Sequence, residues 1–372
     1  MPSASADLAR RPGVAERFHI DVPLLLLLLA LTLFGLIVLY SASGQQTGAV
    51  IRQGRYFLLA YVVMLTAAQF NLHYYQRWTP LVYLAGVGLL VGVLLVGSGA
   101  KGAQRWLSLG GLRFQPSEIM KILVPMMVAW YLSSRVLPPR LQHIFLSLLI
   151  LSVPAALVIR QPDLGTALLI GSAGLIVLFM AGISWRFILG TTFVAILSAW
   201  PAWVYLLRDY QRQRILTLLN PERDKLGAGW NIIQSKTAIG SGGWSGKGWL
   251  NGTQSRLDFL PESHTDFIIA VLAEEFGLRG VLVLLLIYLL ILARGFWIGM
   301  RAQDSFSRLV AGSLTLTFFV YVFVNMGMVS GLLPVVGVPL PLVSAGGTSI
   351  VTLMTGFGIL MAISTERRRV GE

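Results

Sequence analysis

Apolar residues in this chain come in runs too long for the core of a globule. The first extends from Val22 to Tyr40, 19 residues. As a helix it would measure about 28 Å, which matches a hydrocarbon core of roughly 30 Å. Asp21 stands where a helix cap is needed, and Pro23 falls in the first turn, where a missing N–H costs little. A secretory h-region is typically about 7–15 residues. The run is therefore expected to stay as an anchor, not to be cleaved after Ser41-Ala42-Ser43. Similar runs recur near 55–70, 79–97, 117–132, 143–160, 165–182, 185–207, 279–296, 308–330 and 346–364. The pattern predicts an all-α, polytopic integral membrane protein with about ten transmembrane helices. Pro125, Pro154 and Pro201 fall inside spans, which is tolerable where neighbouring helices satisfy the freed backbone. No repeat of fixed period interrupts this reading.

Polar positions then set the orientation. Arg10, Arg11 and Arg17 precede the first run, Arg294, Arg301 and Arg308 surround the join of the eighth and ninth, and Arg367, Arg368 and Arg369 close the chain. Ten spans put the three clusters on one side, and the positive-inside rule makes that side cytoplasmic, with both termini. The expected organisation is a cytoplasmic tail over 1–18, a membrane domain over 19–366 and a second tail over 367–372. The one long connection, 208–266, falls on the opposite, extracytoplasmic face. It holds 14 of the 45 charged residues in 59 positions, and loops of that length are usually functional. Its eight Lys and Arg run against the charge rule, but a loop near 60 residues is at the edge of that rule's range.

Composition narrows the class. Of 372 residues, 55% are apolar and only 12% charged, against roughly 25% charged in soluble domains. Mean hydropathy is +0.73. A soluble globule, a coiled coil and a disordered chain are excluded together. The net charge of +13 is read as topology signal and as contact with anionic membrane lipid; no nucleic acid is expected. The absence of cysteine removes disulfides, thiolate nucleophiles and cysteine-ligated metals. His19, His73, His143 and His264 are too scattered for a zinc site.

Ionisable residues inside or at the edge of a membrane are functional candidates. In FQPSEIMK (114–121), Glu118 and Lys121 share a helix face, as a structural ion pair or as substrate contacts. In QPDLGT (161–166), Asp163 suits a helix cap after a turn, and spacing alone favours that role. The long loop opens with DYQRQRI (209–215) and continues through GAGWNIIQSKTAIGSGGWSGKGW (227–249). Lys247 lacks the spacing of a phosphate-binding P-loop, and Ser245 lacks the glycine of a nucleophile elbow. What remains is a flexible cationic surface for an anionic group such as a lipid-linked phosphate. Finally, FLPESHTDFIIAVLAEEFG (259–277) gathers Glu262, His264 and Asp266 where the loop meets an apolar helix. A carboxylate beside Phe267-Ile268-Ile269 is expected to hold its proton more tightly and could act as a general base or metal ligand. The alternative is Thr265 as helix cap with Asp266 in the first turn. Glu275 and Arg279 are expected to pair at i,i+4.

Taken together, KGAQRWL (101–107), FQPSEIMK, QPDLGT, DYQRQRI, the two glycine-rich stretches, FLPESHTDFIIA (259–270) and NMGMVSGLLPVVGVPLPLVSAGG (325–347) resemble the SEDS (shape, elongation, division and sporulation) family of membrane proteins over roughly residues 20–365. Ala345 departs from the VSYGG that the family usually carries. The resemblance implies ten helices and a peptidoglycan glycosyltransferase acting on lipid II at the periplasmic face of the inner membrane. Asp266 matches the family's essential aspartate and would be the catalytic base. Arg113, Lys121, Gln211, Arg214 and Lys236 would hold pyrophosphate, Glu118 would orient Lys121, and Asp163 would shape the cavity or bind a divalent cation, Mg or Mn. No other cofactor is implied. A class B penicillin-binding protein transpeptidase and other elongation-complex proteins are the implied partners. A lipid II flippase is the competing reading; against it, the ionisable residues cluster on one face and do not step across the bilayer.

Overall fold

The structure is a computed structural model that describes residues 18–100, 103–109, 112–207, 209–224, 227–253 and 263–366. Helices lie over each apolar interval: α1 (Val22–Ala42), α2 (Thr47–Ala68), α3 (Leu72–Val96), α4 (Pro116–Ser133), α5 (Leu141–Arg160), α6 (Leu164–Met180) and α7 (Trp185–Pro201), then α10 (Ile268–Arg301), α11 (Ser305–Val329) and α12 (Thr348–Thr365). Among the described residues, six of them (α1, α3, α5, α10, α11 and α12) are long and apolar enough to cross a membrane by length and composition. Their starts are written in the sequence. The Asp21 carboxylate accepts from the Leu24 amide at 3.0 Å to begin α1, and the Asp304 carboxylate accepts from the Ser307 amide at 3.1 Å to begin α11. Pro116 opens α4 at a position that needs no N–H.

The bundle centres on α11, which packs on α4, α6 and α10; α4 and α6 also pack on each other, and α2 and α12 form a closely packed flanking pair. Met120, Val124 and Leu132 of α4, Ile170 of α6 and Tyr288 of α10 are sealed inside. Leu58, Leu95 and Phe145 face outward, as a lipid-solvated surface requires. On α7 the large side chains Leu189, Phe193, Leu197 and Trp200 are all exposed.

Two elements differ from the sequence reading. The expectation of an all-α chain misses a small antiparallel sheet between α3 and α4: β1 (Ser98–Ala100), β2 (Ala103–Leu109) and β3 (Leu112–Phe114), in the order β1-β2-β3. The Gly110-Gly111 pair between β2 and β3 is a hairpin signal; those two residues lie outside the described ones. The long connection is also less flexible than its glycines suggest. It contains α8 (Asp209–Leu219) and α9 (Ala228–Gly242). Ile232, Ser235 and Ala238 recur at helical spacing, and all three are buried. Helix α9 packs on α10 and touches the end of α11, where the Ser235 hydroxyl donates to the Val329 carbonyl at 2.9 Å.

After α9 the backbone turns back and fastens to α10. The Lys247 and Gly248 amides donate to the Glu274 and Glu275 carbonyls at 3.0 Å each, and the Leu278 amide donates to the Gly243 carbonyl at 2.9 Å. This clasp sits on a break in α10, where Gly277 has φ 65° and ψ −163°. A Cβ on Gly277 would stand 2.3 Å from the Gly246 nitrogen, and one on Gly246 would stand 2.1 Å from the Glu275 carbonyl oxygen. Only glycine fits at either position. At the other end of α10, Arg294 forks onto the Asp21 carboxylate, Nε at 3.0 Å and Nη2 at 2.7 Å. At that same end of the bundle His19 Nδ1 meets Thr365 Oγ1 at 2.8 Å, and Gln303 donates to the Glu366 carbonyl at 3.2 Å.

Candidate active site

Helix α4 brings a buried ion pair to the centre of the bundle. Lys121 Nζ lies 2.7 Å from Glu118 Oε1, and the two residues are 5% and 6% exposed. The ammonium also stands over the Tyr321 ring of α11, 5.0 Å from its centroid. Glu118 Oε2 has no hydrogen-bond partner. Each charge is therefore held mainly by the other, in surroundings where neither could persist alone.

Beside it, Asp163 caps α6, its Oδ1 accepting from the Thr166 amide at 3.2 Å. Its Oδ2 accepts from Gln115 Nε2 at 3.3 Å, just before α4, and stands 3.8 Å from Arg105 Nη1. Arg105 of β2 also donates through Nε to the Gln161 carbonyl at 3.3 Å and through Nη2 to the Pro162 carbonyl. The hairpin is thereby latched onto the α5–α6 turn. Nothing in the sequence marks Arg105 for this role, because a lone arginine in a strand carries no signal until its partner turn is known. Arg113 lies on β3, and its side chain is outside the described part of the structure.

Asp266 occupies the turn 263–267 that leads into α10. Its carbonyl accepts from Asn325 Nδ2 at 2.8 Å, and the same amide nitrogen donates to the Val338 carbonyl at 2.8 Å. The Ser344 hydroxyl donates to the Thr265 carbonyl at 2.5 Å, and the Ala345 amide donates to the His264 carbonyl at 2.9 Å. These bonds draw the backbone of 264–266 to the 338–345 segment, so the helix starts later than the alternative with Thr265 in the cap position supposes. Helix α10 begins at Ile268, with Phe267 in the cap position and no side-chain cap. Because Ala345 contributes only its backbone N–H, the change from the family's tyrosine leaves that bond intact. Phe267, Ile268 and Ile269 are buried, forming the apolar wall expected beside Asp266. Gly337 lies close to the carboxylate: a Cβ there would stand 3.5 Å from Asp266 Oδ2.

Helix α11 joins these pieces. Tyr321, which faces Lys121, and Asn325, which holds Asp266, are one turn apart on the same face. Near the end of α11, Lys236 is exposed, with its tip against the turn at Gly331. Gln211 is buried and Arg214 half-buried on α8, which packs against α9. Glu262 lies outside the described residues.

Glu275 does not pair with Arg279. The break at Gly277 resets the helical phase between them, so the i,i+4 relation is lost. Glu275 Oε1 accepts from the Ser41 hydroxyl at the end of α1, and Arg279 lies over the Trp244 ring at 5.8 Å. Glu274, fully buried, accepts instead from Lys247 Nζ at 2.7 Å, the Thr253 amide at 2.9 Å and the Thr253 hydroxyl at 2.8 Å. Among the described residues no three His, Asp or Glu side chains gather as metal ligands.

A helical bundle with membrane-length apolar helices, a buried cation–carboxylate pair and a second carboxylate at the head of a broken helix defines a multi-pass membrane protein with a one-sided polar site. Residues 22–369 match the FTSW_RODA_SPOVE family model, described as cell cycle protein. The chain belongs to that family. It is 53% identical over 358 residues to the peptidoglycan glycosyltransferase MrdB of Escherichia coli (strain K12), covering 96% of both chains. It is 39% identical over 373 residues to the probable peptidoglycan glycosyltransferase FtsW of Trichlorobacter lovleyi, again covering 96% of both. Among solved structures, it is similar to a chain of a peptidoglycan synthase complex described as coordinating polymerization and crosslinking, with TM-score 0.83, 31% identity and coverage of 94% of this chain and 99% of that one. The crystal structure of the rod shape determining protein RodA of Thermus thermophilus matches with TM-score 0.70 and 28% identity, covering 92% of this chain and 96% of that one.

Proposed function

We propose that this chain is a peptidoglycan glycosyltransferase that polymerises lipid II during cell elongation, with Asp266 as general base. One observation carries the reading. Helix α11 fixes a buried, compensated cation at Tyr321 and the Asp266 turn at Asn325, one helical turn apart. The reaction needs both charges. The acceptor's sugar 4-hydroxyl attacks the anomeric carbon of the donor as the bond from that carbon to the undecaprenyl pyrophosphate oxygen breaks. The hydroxyl proton passes to Asp266, and the leaving pyrophosphate carries the electron pair toward Lys121. An α-linked donor and a β-linked product mean one inverting displacement, so no covalent nucleophile is required. Lys121 keeps N–H groups to spare after bonding to Glu118. Developing phosphate charge met by a fixed cation in a site of low water content is a large source of rate enhancement. Lys236, Arg214 and Arg113 extend the cationic path toward the lipid pyrophosphate, Gln211 adds a neutral amide donor, and Asp163 organises Gln115 and the head of α6.

In this reading ten helices cross the inner membrane, both termini are cytoplasmic and 208–266 is periplasmic. The contacts of His19 with Thr365 and of Gln303 with Glu366 support a shared end for the two chain termini. A class B penicillin-binding protein transpeptidase and elongation-complex proteins are its partners. Any Mg or Mn ion would take oxygen ligands from the substrate's phosphates, with Asp163 as the candidate protein ligand.

The test is polymerisation of lipid II by the purified protein, alone and with that transpeptidase. Asp266→Asn should insert and fold as the wild type does and lose at least about 100-fold in rate. Polymer formed by Asp266→Asn at the wild-type rate would refute the base assignment. Lipid II translocation in liposomes with no polymer formed would favour the flippase.

A further inference from the structure

The far end of α10, opposite Asp266, carries an arrangement that glycan chemistry does not use. The Trp297 indole has two guanidinium groups at 3.9 Å from its ring centroid, Arg294 from one turn before and Arg301 from one turn after. Two such groups at that distance cannot share a face, so the indole is sandwiched. The two arginines differ in one respect. Arg294 is neutralised by the fork onto Asp21. Arg301 is exposed, and among the described residues it has no carboxylate partner. Asp304, the acidic residue next along the chain, has a carboxylate oxygen engaged by the Ser307 amide. Arg308 comes in from α11, Nη2 donating to the Ala302 carbonyl at 3.4 Å. Alongside this Trp297–Arg301 pair runs a second i,i+4 pair, Phe296 and Met300, exposed at 37% and 74%. Cation and grease therefore lie side by side on one helix at the end of a membrane-length segment.

We infer that Trp297, Arg301 and Arg308 form a binding site for the phosphodiester headgroup of an anionic phospholipid, with an acyl chain lying along Phe296 and Met300. Stacking on the indole fixes the orientation of the planar Arg301 fork, so little side-chain entropy remains to be lost on binding phosphate. A free phosphate could satisfy the same fork but has nothing to place on the apolar pair, which favours the lipid.

The experiment uses the full-length protein in detergent micelles and counts retained lipid by native mass spectrometry, with phosphatidylglycerol or phosphatidylcholine added. Phosphatidylglycerol should be preferred by about fivefold per engaged charge. Arg301→Gln should abolish most of the preference without moving the melting midpoint. Arg301→Lys, which keeps the charge but cannot stack as a plane, should be intermediate. Met300→Ser tests the apolar half without adding a charge and should lower retention of phosphatidylglycerol and phosphatidylcholine alike. An unchanged preference in Arg301→Gln would overturn the site. Displacement of the lipid by millimolar inorganic phosphate would overturn the lipid as occupant and assign a soluble anion.

Discussion

Removing the charges of Glu118 and Lys121 one at a time and then together should separate folding from chemistry. Lys121→Met takes away the 2.7 Å partner of Glu118 Oε1, and Oε2 already has none. A carboxylate at 6% exposure would then have no cation beside it. Breaking a buried pair in this way costs about 3–5 kcal/mol, limited in practice because the carboxyl can take up a proton. The double variant Glu118→Leu with Lys121→Met leaves no charge to compensate. It should lie within about 2 kcal/mol of the wild type or be more stable, less about 1 kcal/mol for the lost stacking on Tyr321. Melting in detergent should therefore place the single variant several degrees low and the double variant near the wild type. Lipid II polymerisation should behave differently. Both variants lack the cation that meets the leaving pyrophosphate and should fall by about 100-fold or more. A double variant that polymerises at the wild-type rate would reduce the pair to a structural one. A single variant that melts with the wild type would refute the burial argument itself.

Other expectations follow from the same geometry. Asp163→Asn keeps an α6 cap whereas Asp163→Ala loses one, so only alanine should lower stability, by about 1 kcal/mol; equal loss of activity in both would show that the charge, beyond the cap, is needed. Glu274→Ala leaves Lys247 and Thr253 without their shared acceptor. Amide exchange of Lys247, Gly248 and Leu278 should accelerate by at least about tenfold, and unchanged exchange would mean that the backbone bonds hold the clasp unaided. In this cysteine-free chain, Ser245→Cys should react with an impermeant maleimide in intact spheroplasts while Gln303→Cys should not; the reverse pattern would invert the topology.

What was legible in the sequence was whatever depends on near neighbours. Apolar runs mark helices, three residues separate Glu118 from Lys121, and Asp163 precedes a helix it caps. Long-range partners were not legible. Lys247 reaches Glu274 across 27 positions, and Arg105 finds the 161–163 turn nearly sixty residues away. The Glu275–Arg279 pairing failed because a positive φ at Gly277 sits between them, and periodicity cannot report a break in the very helix it assumes. Glycines in 227–242 suggested flexibility, whereas the buried stripe Ile232-Ser235-Ala238 decided for helix. The strands at 98–114 were hidden by their neighbours' hydrophobicity, although Gly110-Gly111 was a visible cue.

The clasp over α10 has a consequence for how the chain tolerates change. Its two strands of backbone meet with no side chain between them, so what is specified there is an absence of atoms, not a chemical group. A saturation scan should accordingly find a sharp contrast: Gly246 and Gly277 intolerant even of alanine, while exposed Ser245, the residue before Gly246, accepts most replacements. Substitution matrices that score residues by chemical similarity would misjudge such a segment, because the smallest possible addition is the damaging one and large changes beside it are neutral.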